Sequence, residues 1–173
     1  TAGFVKVVPA EAQKLAGYQF AKALWLRKTG KLKDAAKVMA EAPQDAASLI
    51  DPDAWWNERR ILARSLWDAG QTKLAYKTAS MHAAQSPTSA AEAEFHAGWI
   101  ALRALKDPKL AEAHFTRLLS ISTTPQSLSR GYYWLGRSIA ASSRDPADAY
   151  RRAAHYGTTF YGQLAAAKIG ASK

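Results

Sequence analysis

A hydrolase or transglycosylase needs at least one carboxylic acid whose proton affinity suits its task. The 14 acids of this 173-residue chain are therefore the first place to look for chemistry. Local structure accounts for most of them. Asp51, Asp107 and Asp145 each precede a proline, the arrangement of a helix N-cap followed by a first-turn proline. Glu92 lies three residues after Ser89, the S-x-x-E spacing of a capping box. Glu11 falls in an expected first helical turn, where a negative charge complements the helix dipole. Glu58 stands beside Arg59 and Arg60 in WWNERR and reads as a structural ion pair with them.

The other chemical groups are sparse in pattern. His82, His96, His114 and His155 include no pair at i,i+4 and no H-E-x-x-H, so no metal site is expected. There is no cysteine, which removes disulfides, thiolate ligands and a thiol nucleophile together. Neither a G-x-S-x-G elbow nor a glycine-rich phosphate loop occurs. The chain is expected to carry no catalytic residue, no metal and no cofactor.

What remains is binding, and the stretch GYYWLGRS (131–138) concentrates it: three aromatics between two glycines, then an arginine. On a helix, Leu128, Tyr132, Leu135 and Ile139 fall at i, i+4, i+7 and i+11, which predicts one apolar face. Tyr133 and Arg137 make a second face and Arg130 and Trp134 a third. So many apolar sides predict a helix packed between others, with Gly131 and Gly136 allowing close contact. Packing does not require arginine at 130 and 137, although a guanidinium can stack on Trp or Tyr. Arg130, Tyr133, Arg137 and the later Tyr161 are the ligand-groove candidates.

Those residues must be positioned by helices, because alanine and leucine dominate the apolar share and valine is nearly confined to FVKVV at 4–8. Punctuation recurs along the chain. Pro9, Asp51-Pro52, Thr124-Pro125, Asp107-Pro108 and Asp145-Pro146 open runs, Gly30 and Gly70 close two of them, and Thr158 precedes a last run, FYGQLAAAKIG. The pattern of long helix, tight turn and short helix repeats in hairpins at 9–41, 52–85, 89–121 and 124–156, with a final helix at 158–169. Ala35, Ala75, Ala111 and Ala149 occupy equivalent places in the short helices, at intervals of 40, 36 and 38 residues by subtraction. Such a period predicts an all-α fold of about nine helices in one domain spanning 1–173, a right-handed, TPR-like α-solenoid of stacked hairpins.

The formal charge is +10, from 24 lysines and arginines against 14 acids, which suits nucleic acid, an anionic membrane or an acidic polymer such as a carboxylate-bearing cell wall. No apolar run approaches the ~20 residues of a membrane span.

Four segments, WWNERRILARSLWDAGQTKLAYKTA (55–79), AEAEFHAGWIALRAL (91–105), TTPQSLSRGYYWLGRS (123–138) and TTFYGQLAA (158–166), resemble the superhelical region of soluble lytic murein transglycosylases in wording, order and spacing. The resemblance covers about residues 51–170. In that family an α-helical superhelix precedes a lysozyme-like domain that cleaves peptidoglycan between N-acetylmuramic acid and N-acetylglucosamine, using a glutamate in an E-S-x-F-like motif followed by a G-L-M-Q-like segment. Neither motif occurs here; Glu94-Phe95 is the nearest echo and lacks the serine. No catalytic residue is carried over. The resemblance implies a periplasmic, non-catalytic scaffold whose partners are peptidoglycan or a catalytic domain outside this sequence, and it reads the chain, which begins Thr-Ala-Gly, as a fragment. On that reading the outer face of the last helix should show exposed apolar side chains or be covered by a neighbouring molecule.

Two rivals stand beside it. A TPR-like adaptor would hold a protein or peptide partner in a groove. An RNA-binding repeat would draw on the charge and the aromatics, but a one-base-per-repeat reader needs near-constant spacing, which the unequal repeats lack, so nucleic acid is not the expected partner.

Overall fold

The computed structural model describes residues 8–170, which contain ten α-helices, one short 3₁₀ turn (Ala12–Lys14) and no strand. The fold is all-α, as the composition requires. The helices are α1 (Ala16–Lys28), α2 (Leu32–Glu41), α3 (Ala46–Leu49), α4 (Pro52–Asp68), α5 (Thr72–Ser80), α6 (Pro87–Arg103), α7 (Pro108–Ile121), α8 (Pro125–Ala141), α9 (Ala147–Ala154) and α10 (Phe160–Lys168). They fall into two compact units, which divide between Gln85 and Ser86. In the first, α1 pairs with α2 and α4 with α5, and α2 touches both helices of the second pair. In the second, α6 pairs with α7 and α8 with α9, α7 packs on α8, and α10 lies on α8 and α9.

The helix starts follow the side chains that cap them. Asp51, Asp107 and Thr124 accept the amides of Ala54, Leu110 and Ser127, each three residues on, and a proline takes the first helical position after each. Four starts differ from the expected ones. Pro146, not Asp145, is the N-cap of α9, which begins at Ala147 and has no side-chain cap, although Asp145 Oδ1 accepts the Ala147 amide at 3.0 Å. The cap of α6 is Ser86, which accepts the Ser89 amide, so Ser89 lies inside the helix and forms no capping box with Glu92. Thr159, not Thr158, caps α10. The run from Pro9 begins as a 3₁₀ turn and becomes helix only at Ala16. The tenth helix, α3, was hidden in the loop before Asp51; it is one turn long, with Asp45 accepting the Ser48 amide.

The tight turns share one geometry. After α1, Lys31 N–H reaches the Leu26 carbonyl and Gly30 N–H the Arg27 carbonyl; after α4, Gln71 and Gly70 do the same with Leu66 and Trp67. This is the Schellman ending, which places its penultimate residue at positive φ, here Gly30 at 79° and Gly70 at 75°. Arg144 and Ser143 repeat both bonds after α8, on the Ile139 and Ala140 carbonyls, but with a serine at φ 57°.

The repeated alanines are all buried. Ala35, Ala75 and Ala111 are each the fourth residue of their short helix, where a larger side chain would hold the hairpin apart. Around them the first unit buries Leu26, Met39, Trp55, Trp56, Leu62 and Leu66, and the second Ile100, Phe115, Leu118 and Tyr150. Each such side chain contributes about 1.5–3 kcal/mol by leaving water.

On α8 the deepest face is not the aliphatic one the periodicity predicts. Leu128, Tyr132, Leu135 and Ile139 are all only half-buried. Ser129, Gly131, Tyr133, Trp134, Gly136 and Ser138 are buried instead, the two serines bonded to the carbonyls of Gln126 and Trp134. These residues form two opposite faces, and on each a glycine makes room for a neighbouring side chain: a Cβ on Gly131 would stand 2.7 Å from Leu118 Cδ2, and one on Gly136 2.6 Å from Tyr150 Cε1.

Candidate functional site

The four groove candidates belong to one aromatic cluster of the second unit. Tyr133, 5% exposed, stands at its centre. Its ring lies 5.4 Å from that of Tyr161 on α10, 5.9 Å from Tyr150 on α9 and 5.7 Å from Trp134. Trp134 continues the cluster to Phe115 on α7 and Phe95 on α6. Separations of this order, with tilted, edge-on or offset-stacked planes, are what ring quadrupoles prefer. Burial pushes the Tyr150 phenol above its ordinary value, against a smaller opposing pull from Arg137.

Both arginines cap this cluster. Arg137 lies over Trp134 and Tyr133, with Cζ 5.5 and 6.0 Å from the ring centroids, and donates from Nη1 to the Tyr133 hydroxyl at 3.2 Å. The stacking expected for an arginine beside these rings is present at 137. At 130 the partner differs: Arg130 stacks on Phe95, its Cζ 4.3 Å from the centroid. Two helices packed together brought that ring within reach, which a single-helix projection cannot show. Burial pulls the Arg130 guanidinium below its ordinary value, while Tyr161 and Glu92 favour its charged form. Its Nε–H is buried without a hydrogen-bond partner.

Arg130 and Tyr161 also line a cavity of about 270 Å³ between the first turns of α8 and α10, together with Gln126, Ser129, Thr159 and Phe160. Tyr133 and Arg137 are not among its lining residues. Thr159 Oγ1 builds the α10 side: it accepts the Gly162 amide at 3.0 Å and donates to the Tyr156 carbonyl at 2.8 Å. That relay starts the helix with Phe160 at its first position, pointing out, 69% exposed. Phe160 is the one large apolar side chain exposed on the last helix, whose other exposed positions are Gln163, Ala167 and Lys168. Neither Phe160 nor Thr159 stands out from the sequence, where Thr158 reads as the cap.

The cavity offers a guanidinium, an amide, hydroxyls and an exposed ring, and its lining contains no carboxylate. Such a set can stack on and hydrogen-bond a sugar or peptide group; it supplies no acid to protonate a leaving group. Several acids outside this cavity tie helices together. Glu58 is buried and paired through both oxygens with Arg27 of α1, whose Nη2 lies 3.2 Å from Oε2, rather than with its neighbour Arg59. Glu94 accepts from His114 Nδ1 at 2.7 Å and Arg117 Nε at 3.2 Å, tying α6 to α7. Glu112 accepts from Arg144 and Ser142, fastening α7 to the turn after α8.

Among the described residues no group of three or more His, Asp or Glu side chains could hold a metal ion, and no helix is long and apolar enough to cross a membrane. The fold and site define an all-α protein of packed helical hairpins. No protein-family model, curated protein or solved structure matches the chain.

Proposed function

We propose that the chain is a non-catalytic helical scaffold acting at peptidoglycan in the periplasm, of the kind that in soluble lytic murein transglycosylases positions the glycan or the catalytic domain. One observation carries this reading. The four segments that resemble that family lie in order on α4–α5, α6, α8 and α10, and their distinctive residues serve packing: Trp55, Trp56, Gly98, Tyr133 and Gly162 are all buried. A segment whose rings and glycines hold helices together works by shape and by its surface. The +10 charge suits the carboxylates of the wall polymer, and Phe160 beside Arg130 would suit a sugar ring with polar substituents.

Sedimentation with purified sacculi at rising salt tests it. Retention at low salt that falls as salt rises, and that weakens in Phe160→Ala and Arg130→Gln, is the expected result. Absent retention, or retention indifferent to salt, would overturn the reading and leave a TPR-like adaptor with a protein partner at Phe160.

A further inference from the structure

A second cavity, within the first unit, has a volume of about 380 Å³ and brings together Lys33 and Lys37 of α2, Lys77 of α5 and Arg59 of α4, with Glu41 as its one acid. Arg59 is 1% exposed, a charged side chain in the interior of the hairpin stack. Its Nη1 donates to the Thr78 carbonyl at 3.2 Å and its Nη2 to the Met39 carbonyl at 2.7 Å. Both carbonyls belong to last turns, of α5 and α2, where no intrahelical partner exists. The guanidinium therefore closes two helix ends at once, while its Nε–H has no partner.

Charge distinguishes this cavity from a packing defect. Each helix end is equivalent to about half a negative charge, so the two together offset Arg59. Lys33, Lys37 and Lys77 then stand against Glu41 alone. All three lysines are exposed, and none has a carboxylate within ion-pair distance among the described residues. Lys33 and Lys37 sit four residues apart on one helix, where like charges repel. A surface that keeps such a cluster is at its lowest energy with an anion present. The excess of two positive charges matches a dianion rather than a single carboxylate, and lysine is a point-charge binder of phosphate.

We propose that this cavity binds a phosphate group, with Lys33, Lys37 and Lys77 around its oxygens and the buried Arg59 guanidinium adding its charge from the wall. Burial pulls Arg59 down to about 10, so the guanidinium is still charged at neutral pH. The inference is independent of the peptidoglycan reading, since it uses the other unit and another ligand.

The test is an amide chemical-shift titration of the full chain with inorganic phosphate, at an ionic strength held constant with chloride. Saturable shifts confined to residues 33–41 and 74–81, with Kd on the order of 1 mM, are expected. The Lys33→Gln/Lys37→Gln/Lys77→Gln variant should bind at least about tenfold more weakly. Because the three side chains are exposed, it should keep the amide pattern elsewhere. A sugar phosphate serves as a second arm: tighter binding than the free ion assigns the ligand as a monoester, weaker binding as inorganic phosphate, and both support the site. Acetate saturating at the same concentration would overturn the choice of phosphate. Shifts spread over lysines throughout the chain, a lack of saturation, or undiminished binding by the triple variant would overturn the site.

Discussion

Replacing Gly162 with alanine tests the account of α10 at its most sensitive atom. A Cβ there would stand 2.0 Å from the Tyr156 carbonyl oxygen and 2.6 Å from its carbon. Ordinary contact with an oxygen begins above 3 Å, so the backbone must separate by more than ~1 Å. The carbonyl cannot yield freely, because it accepts both the Thr159 amide at 2.9 Å and the Thr159 hydroxyl at 2.8 Å. Moving it breaks those two bonds, about 1 kcal/mol each, and disturbs the cap that Thr159 places on the helix, about 1 kcal/mol more. Alanine's better helix propensity returns up to ~1 kcal/mol, leaving a loss of about 2 kcal/mol. At a urea slope near 2 kcal/mol/M, the midpoint falls by about 1 M. Urea unfolding followed by far-UV circular dichroism and tryptophan fluorescence reads this directly, since Trp134 lies against Tyr161 of the displaced helix. Gly17→Ala is the internal control: nothing lies within 4 Å of a Cβ at that exposed helical position, so the same change should stabilise by a few tenths to ~0.5 kcal/mol. If Gly162→Ala unfolds at the wild-type midpoint or above, the close approach of α10 to the Tyr156 turn is wrong.

Two further outcomes follow from particular residues. Ser143→Gly should raise the urea midpoint, by about 0.5–1 kcal/mol of stability, because Ser143 holds the left-handed position that Gly30 and Gly70 fill in the other turns; an unchanged or lower midpoint counts against the shared turn geometry. The Tyr150 phenol, raised by burial, keeps its proton in the folded state after the unfolded chain has lost it. Stability should therefore decline as pH climbs past the ordinary tyrosine value of about 10. Tyr150→Phe should flatten that decline relative to wild type in denaturation series across the alkaline range, and an unaltered slope would refute the assignment.

The cluster around α8 was only partly legible beforehand. Its residue types announced packing, and the two glycines announced close approach, since nothing but a near neighbour makes a missing Cβ useful in mid-helix. Which neighbour was not announced: Tyr150 of the next helix faces Gly136, and Phe95, two helices back, faces Arg130, because packing decides which side chains meet. The aliphatic stripe misled for a related reason. Hydrophobic periodicity assumes one buried face, whereas α8 touches α6, α7, α9 and α10 and buries two opposite faces, each combining one ring with two small residues.

The sequence by itself determined the all-helical class, the caps at Asp51, Asp107 and Thr124, the glycine endings at 30 and 70, and the recurring alanine of each short helix. These are local properties: a cap and its amide are three residues apart, and a Schellman turn closes within six. Only the tertiary structure decided that Glu58 serves Arg27 across 31 residues, that Arg59 closes the ends of two helices 20 and 19 residues away, and that Phe160 faces solvent beside Arg130. Several side chains of each charge could have made those pairings equally well, and the choice among them was made by which helix ends the packed hairpins brought together.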